Sequence, residues 1–387
     1  MKNKQSLSEN KTRIPVLAIC YDFDKTLTPD DMQAHGYIQS LDKEIKEFWD
    51  ESNSLAQNND MDQNLAYLYL MVKKSYGRFY VTREMLEEFG AKVILFPGVD
   101  SWFKRIREYG EEKGIQIEHY IISSGLQEMI EGTQMAKNGD FKKIYASSFY
   151  YNEEGVAEWP AQVINYTNKT QFLFRIEKGC LDVNDDRINR FYSPDEMRVP
   201  FRNIVYVGDS ATDIPCMKLV NTYGGHSIGV YNPETADKSK VYEMMEQNRI
   251  KYFTPADYRE GTELDVLIKC IIDRTAANEV IEEMHNNYRK EAESNRSDQI
   301  QNRKNELLYD FIYSRSYAST HAAVEDMKTI DSWNEYQLRQ IYHASMTNAQ
   351  IRSILMDRDV KCFIQGLLSR YSYRDSKADQ LVDLLES

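Results

Sequence analysis

Asp22 and Asp24 stand one residue apart in Asp22-Phe23-Asp24-Lys25-Thr26, directly after the apolar run Pro15-Val16-Leu17-Ala18-Ile19-Cys20-Tyr21. Two carboxylates at that spacing can face one site if the chain turns out of its strand, one attacking as a nucleophile and the other handling a proton. Acids after a strand are also ordinary turn and cap residues, so the pair gains meaning only from its company. Three further groups follow in order. Ile121-Ile122-Ser123-Ser124-Gly125 brings a hydroxyl and a flexible backbone to a helix start, where N–H groups can hold a phosphoryl oxygen; alone it also reads as a Ser cap. Lys169, in Asn168-Lys169-Thr170, lies near a helix N-terminus, where a cation opposes the helix dipole unless it has an anionic partner. Lys178 competes with it but lies near the end of the same helix. In Val207-Gly208-Asp209-Ser210-Ala211-Thr212-Asp213 an apolar strand meets Gly and two carboxylates four apart. Asp209 can there reach a hard cation, and Asp213, one turn on, can fix a lysine.

These groups need a frame that brings distant segments to one edge. The run before Asp22 suits a fully buried parallel strand, and Asn203 to Val207 and Ser227 to Tyr231 read as further strands. Between them come a turn at Phe96-Pro97-Gly98, a helix through Trp102, Phe103 and Ile106, and a strand over Ile117 to Ile122. A hairpin over Tyr145 to Val163 follows, with Asn152-Glu153-Glu154-Gly155 as its turn, then a helix through Phe172, Phe174 and Ile176 and another from about Thr212. Alternating strands and helices predict an α/β fold, a Rossmann-like doubly wound parallel sheet whose ligands gather at the carboxyl ends of the strands.

The chain of 387 residues exceeds one ordinary core, and its 42% hydrophobic and 28% charged composition is globular. We expect a core over residues 1–29 and 94–272, an inserted α-helical cap over 30–93, a linker helix over 273–306 and an all-helical C-terminal module over 307–387. The net charge of −13 argues against nucleic acid and anionic membrane as partners. Five scattered cysteines argue against disulfides and zinc, and no run suits a signal peptide or span, which predicts a cytoplasmic protein.

The ordered set Asp22/Asp24, Ser123, Lys169 and Asp209/Asp213 resembles the four motifs of the haloacid dehalogenase-like hydrolases over about Pro15 to Val230. The resemblance implies a phosphohydrolase acting on a small phosphorylated metabolite, a phosphate monoester. Asp22 would form an aspartyl-phosphate, and Asp24 would protonate the leaving oxygen and then activate water. It also implies Mg2+ held by the Asp22 carboxylate, the Asp24 backbone carbonyl and Asp209. Ser123, Ser124 and Lys169 would bind phosphoryl oxygens, Asp213 would orient Lys169, and Thr26 would shape the loop and touch substrate. Asp at position 24 favours a phosphatase or phosphomutase over dehalogenases, which lack this acid, and over P-type pumps, which carry Thr there. The alternatives are a phosphotransferase or mutase and a ligand-sensing regulatory protein.

The insertion is similar to the helical cap of phosphoserine phosphatase-like members, and its Lys73, Lys74, Arg78 and Arg83 are candidates for a second anionic group. In the C-terminal module Asp357 and Asp359 repeat the spacing of Asp22 and Asp24, but no matching partners lie near them in sequence, which favours two solvated acids at a helix boundary. His321 and His343 show no ligand spacing, and Tyr309, Phe311, Tyr313 and Tyr317 read as core or interface. The module is expected to serve a protein partner or a homo-oligomer.

Overall fold

The computed structural model describes residues 14–34, 36–41, 43–192 and 196–386, and the chain divides into two compact units, Met1–Val280 and Ile281–Ser387. The first unit is organised by strand β1 (Val16–Tyr21), six residues with no polar face, all buried. Leu17, Ile19 and Tyr21 pack into one apolar layer, and Val16, Ala18 and Cys20 into the other. Covering both faces of a parallel strand requires helices on both sides, which is the doubly wound arrangement.

After β1 the chain leaves the sheet for helices α1 (Ile45–Asn58), α2 (Gln63–Ser75) and α3 (Arg83–Gly90). Asp62 caps α2, accepting from the N–H groups of Asn64 and Leu65, and Thr82 caps α3. Phe48 meets the rings of Tyr37 and Trp49 edge-on, and Trp49 meets Tyr67 the same way, giving the insertion an aromatic core.

Gly98, at φ 83°, turns the chain into α4 (Val99–Glu112), followed by β2 (Gln116–Leu126), α5 (Gln127–Gly132) and α6 (Gln134–Lys137). β3 (Lys143–Tyr151) and β4 (Ala157–Gln162) pair antiparallel. In their turn the Asn152 Oδ1 accepts from the N–H groups of Glu154 and Val156. Then come α7 (Thr170–Lys178), β5 (Ile204–Gly208), α8 (Ile214–Thr222), β6 (His226–Tyr231), α9 (Ser239–Glu246) and β7 (Tyr252–Pro255). The seven-stranded sheet has the order β4-β3-β2-β1-β5-β6-β7, with only β4 antiparallel. Tyr21 sits opposite both Ile121 and Val207, so Asp22 and the residues after Ile122 and Val207 emerge at one edge.

Beneath that edge the buried indole N–H of Trp102 donates to the Tyr21 hydroxyl at 2.8 Å, and that hydroxyl lies 3.1 Å from His119 Nδ1. The other ring nitrogen, Nε2, faces the Phe103 carbonyl at 3.2 Å, which can only accept. His119 is therefore neutral with its proton on Nε2, in keeping with a pKa that burial depresses to about 3.

Four elements differ from the sequence expectation. β2 continues to Leu126, so Ser123, Ser124 and Gly125 still belong to the strand, with its register to β3 broken between Ile122 and Leu126. α9 and β7 were not anticipated; both are short, and β7 has only four residues with no apolar run to announce it. The helix expected over 273–306 is part of one 50-residue helix, α10 (Glu263–Ile312), whose first turns bury Leu264, Ile268, Ile271 and Ile272 in the core of the first unit. That spacing makes an apolar stripe, which the polar stretch after it obscured.

The second unit packs α11 (Tyr317–Met327), α12 (Glu335–Thr347), α13 (Ala349–Ser353), α14 (Arg358–Arg370) and α15 (Ser376–Glu386) with the end of α10. Leu307, Phe311, Val324, Tyr342, Ile364 and Leu381 form its interior. Of the four aromatic residues expected in core or interface, only Phe311 is buried, whereas Tyr309, Tyr313 and Tyr317 are exposed. Among the described residues no helix is long and apolar enough to cross a membrane.

Candidate active site

Asp22 is the first residue beyond β1, and its N–H still bonds the Val207 carbonyl at 2.9 Å, so its position is set by the sheet. The chain then turns tightly, with the N–H groups of Thr26 and Leu27 both donating to the Phe23 carbonyl. Lys25 takes a left-handed conformation, φ 58°, which is costly for a residue with a side chain. Its ammonium meets Asp31 at 2.8 Å on the far side of the turn. Asp24 is fixed by the Met32 N–H, which donates to its Oδ1 at 2.7 Å. Met32 packs where a Cβ on Gly125 would stand, 2.2 Å from the Met32 Cε and 3.1 Å from Asp24 Oδ2, so a side chain there would displace the Met32 methyl.

Lys169 lies at the start of α7 and is fully buried. Its Nζ donates to Asp22 Oδ1 at 3.0 Å and to Asp213 Oδ1 at 2.8 Å, which supplies the anionic partners its position demands. Asp213 is held in turn by the Tyr206 hydroxyl at 2.9 Å and by the N–H and hydroxyl of Ser210, both at 3.3 Å. Gly208 makes room for it, since a Cβ there would lie 2.5 Å from Asp213 Oδ2. Carboxylate oxygens of Asp22, Asp209 and Asp213 come within 4.8 Å of one another. Asp22 and Asp209 open into a cavity of about 520 Å³, whose wall also includes Asp24, Ser123 and Ser124, with Lys169 and Asp213 buried behind it.

A family model for haloacid dehalogenase-like hydrolases matches residues 19–218, more than half of the chain. The chain belongs to this family. An uncharacterized protein of Borreliella burgdorferi is 26% identical over 275 residues, covering 64% of this chain and 94% of its own. Among solved structures, a HAD family hydrolase from Salmonella enterica serovar Typhi is similar at a TM-score of 0.44 and 16% identity, covering 67% of this chain and 72% of its own. A probable phosphoserine phosphatase from Vibrio cholerae is similar at 0.42 and 14%, covering 69% of this chain and 68% of its own.

The electrostatics of this haloacid dehalogenase-like site are unbalanced. Asp22 and Asp213 share one ammonium, that of Lys169, while a carboxylate oxygen of Asp209 lies within 4.8 Å of theirs. Burial first, then Asp213, pushes the Asp22 carboxyl up to about 6, against the pull of Lys169. Burial, then Asp213 and Asp22, takes Asp209 up to about 8, with Lys240 and Lys25 opposing. Asp24 is raised well above the ordinary carboxylate range by burial, Asp31 and Asp22. Burial works against the charge of Lys169, but Asp213 and Asp22 outweigh it and hold the ammonium above its usual range. The oxygen donors and the surplus of negative charge fit a divalent cation.

The structure brings Asp22, Asp24, Ser123, Ser124, Lys169, Asp209 and Asp213 to one place and leaves Thr26 out. The Thr26 hydroxyl is enclosed without a hydrogen-bond partner and does not face the cavity. Backbone hydrogen bonds tie the turn instead, and Tyr258 donates its hydroxyl to the Thr26 carbonyl at 2.8 Å. Asp213, expected only to orient the lysine, also joins the carboxylate cluster.

The four candidate cations of the insertion are engaged elsewhere: Lys74 with Glu51, Lys73 over the Tyr69 ring, Arg78 with the Leu41 carbonyl and Arg83 with Glu131. The cations lining the cavity are Lys25 and Lys240, the latter beside the unanticipated α9 start. The sequence reading also missed Asp31, Asp62, Gln63, Asn64, Asn165 and Tyr166 in the wall. Asp62 carried a signal, an acid just before the periodic residues Leu65, Leu68 and Val72 of α2.

In the second unit, the expectation that Asp357 and Asp359 lack partners is corrected. His321 of α11 stands between them, its Nε2 3.2 Å from Asp357 Oδ2 and its Nδ1 in a close hydrogen bond with Asp359. The partner comes from another helix, a proximity that spacing along the chain does not register.

Proposed function

We propose that this hydrolase is a Mg2+-dependent phosphatase that cleaves a small phosphate monoester through an aspartyl-phosphate on Asp22. The observation that carries this reading is Lys169 Nζ seated between Asp22 Oδ1 and Asp213 Oδ1, at 3.0 and 2.8 Å, beside the Asp209 carboxylate. A carboxylate held against a buried ammonium at a strand end is oriented for attack, and the ammonium remains to neutralise phosphoryl oxygens.

In the first step an Asp22 oxygen forms a bond to phosphorus as the ester bond breaks, and Asp24 gives its proton to the leaving oxygen. In the second, Asp24 takes a proton from water, whose oxygen attacks phosphorus; the bond to Asp22 breaks, releasing phosphate and regenerating the carboxylate. The Met32 N–H fixes one oxygen of Asp24, leaving Oδ2 to carry the proton. Ser123 and Lys169 bind phosphoryl oxygens, and Asp213 with Tyr206 keeps Lys169 in place. Mg2+, held by the carboxylates of Asp22 and Asp209 and the carbonyl of Asp24, supplies charge neutralisation for the phosphoryl group.

The helical insertion forms the opposite wall of the cavity through Met61, Asp62, Gln63 and Asn64, which supports a cap of the phosphoserine phosphatase-like kind that limits the leaving group to a small metabolite. The test is Mg2+-dependent release of free phosphate from an aryl phosphate by the full-length chain. Asp22→Asn is expected to remove turnover while the protein stays folded, and full turnover by that variant would overturn the covalent role. A product that requires an added acceptor alcohol would assign the protein to phosphotransfer instead.

A further inference from the structure

Three side chains at the start of α2 reach out of the cap to the core, one landing next to Ser123 and two on the loop that precedes Lys169. The Tyr67 hydroxyl donates to the Ser124 carbonyl at 2.8 Å, next to Ser123. The Asn64 Nδ2 donates to the Ile164 carbonyl at 2.8 Å. Asp62 uses its two oxygens separately: Oδ1 caps α2, and Oδ2 accepts from Asn165 Nδ2 at 2.7 Å.

Asn165 is the hub of the loop that delivers Lys169. Its Oδ1 accepts from the N–H of Thr167 at 2.9 Å, the hydroxyl of Thr167 at 2.6 Å and the N–H of Asn168 at 3.2 Å. Its N–H donates to Asn168 Oδ1, and its carbonyl accepts the N–H of Lys169 at 3.1 Å. These acceptor roles fix the amide orientation, so Nδ2 is the atom that faces Asp62. One residue thus joins the cap to the backbone of Lys169, whose ammonium must reach Asp22 and Asp213 within hydrogen-bond distance.

We propose that Asp62 and Asn165 form a cap-to-core latch that positions Lys169, so that the lysine is correctly placed only while α2 is seated on the Lys169 loop. Asp62 and Asn165 are positioning residues. This rests on the reading of Lys169 as the phosphoryl-oxygen ligand, and the latch is testable apart from it.

The pair can be broken from either side and rebuilt. In Asp62→Asn, the oxygen must stay on the α2 cap, so the new amide NH2 faces the NH2 of Asn165, donor against donor. In Asn165→Asp, the loop keeps its acceptor, but a carboxylate oxygen faces Asp62, acceptor against acceptor. The double exchange restores one donor and one acceptor with the direction reversed. All three retain the helix cap and the loop acceptor, so the fold is kept.

Two readouts apply to the full-length chain: amide hydrogen exchange over residues 167–169, and kcat and KM with an aryl phosphate and Mg2+. Each single exchange is expected to speed hydrogen exchange there and to lower kcat by about tenfold to a hundredfold, because a misplacement near 1 Å can cost about a hundredfold, with KM changed less than kcat. The double exchange is expected to recover most of both losses, as coupled pairs do. Exchange that the single variants leave unchanged, or that the double does not restore, overturns the latch. Restored exchange with kcat unmoved throughout shows a latch that does not position Lys169 for catalysis and overturns the proposal as well. A wild-type chain without turnover would sink the phosphatase reading alone, and hydrogen exchange would still decide whether the latch exists.

Discussion

Asp22-Phe23-Asp24 and Asp357-Arg358-Asp359 have the same spacing at the edge of a secondary-structure element, yet they do different things. Asp357 and Asp359 flank one imidazole, so two partly exposed acids share a group that can carry their counter-charge. The hydrogen bond that His321 donates to Asp359 holds the imidazole above the usual histidine range; burial works to raise Asp359, and His321 outweighs it and holds that carboxyl low. Asp22 and Asp24 lie instead on a cavity whose acids outnumber its cations, and the carboxyls of Asp22, Asp24 and Asp209 are all raised. A balanced pair fastens two helices together. An unbalanced, enclosed one favours a cationic ligand, because surplus buried charge costs free energy until a ligand cancels it.

The largest effect that separates the two pairs is on turnover. Asp22→Asn is expected to lower kcat by about three orders of magnitude or more, whereas Asp357→Asn should leave it within about twofold, measured as phosphate release. Comparable losses from both would dissolve the distinction. Metal removal comes next. Chelation should abolish turnover and added Mg2+ restore it, while hydrogen exchange in α11 and α14 stays constant, since the His321 bracket needs no cation.

Gly208→Ala sharpens the comparison from the side of geometry. The methyl group would meet Asp213 at 2.5 Å, displacing the carboxylate that holds Lys169, with an expected loss in kcat of about tenfold to a hundredfold. A variant with unchanged kcat would show that Asp213 does not set Lys169.

The smallest effect belongs to the C-terminal pair. His321→Gln should cost about 0.5–1 kcal/mol, read as faster hydrogen exchange in α11, without altering kcat. Its pH dependence follows from two opposite shifts. His321 is raised, so its contribution is full below the ordinary histidine value of about 6.5 and is lost as pH rises through the higher folded value. Asp359 is lowered, so its contribution is full above about 3.9 and is lost as pH falls through the lower folded value. The bracket is therefore tightest between about pH 4 and 6.5 and loosens on the alkaline side. Exchange in α11 that slows above neutral pH would contradict this.

What the sequence disclosed follows the same contrast. β1 and β5 were legible because strands buried on both faces leave continuous apolar runs, and the residues after them fell where strand ends place ligands. The turn at Asn152 announced its hairpin, and the burial of Lys169 was foreshadowed by a cation at a helix start. What stayed hidden depends on contacts across long stretches of chain. Asn165 meets Asp62 across 103 residues, and His321 meets Asp359 across 38, so neither pairing leaves a local pattern. The burial of the Thr26 hydroxyl leaves no local pattern either, and the Thr26 carbonyl accepts from Tyr258, 232 residues away.

The proposed mechanism requires Asp22 to be the group that accepts phosphorus. Acid-quenching a single turnover with a labelled aryl phosphate and Mg2+, then mapping the label by peptide, measures this directly. The label is predicted on the peptide carrying Asp22, and its disappearance should keep pace with phosphate release. Turnover that proceeds with no protein-bound label, or with the label on Asp24 or Asp209, would contradict it.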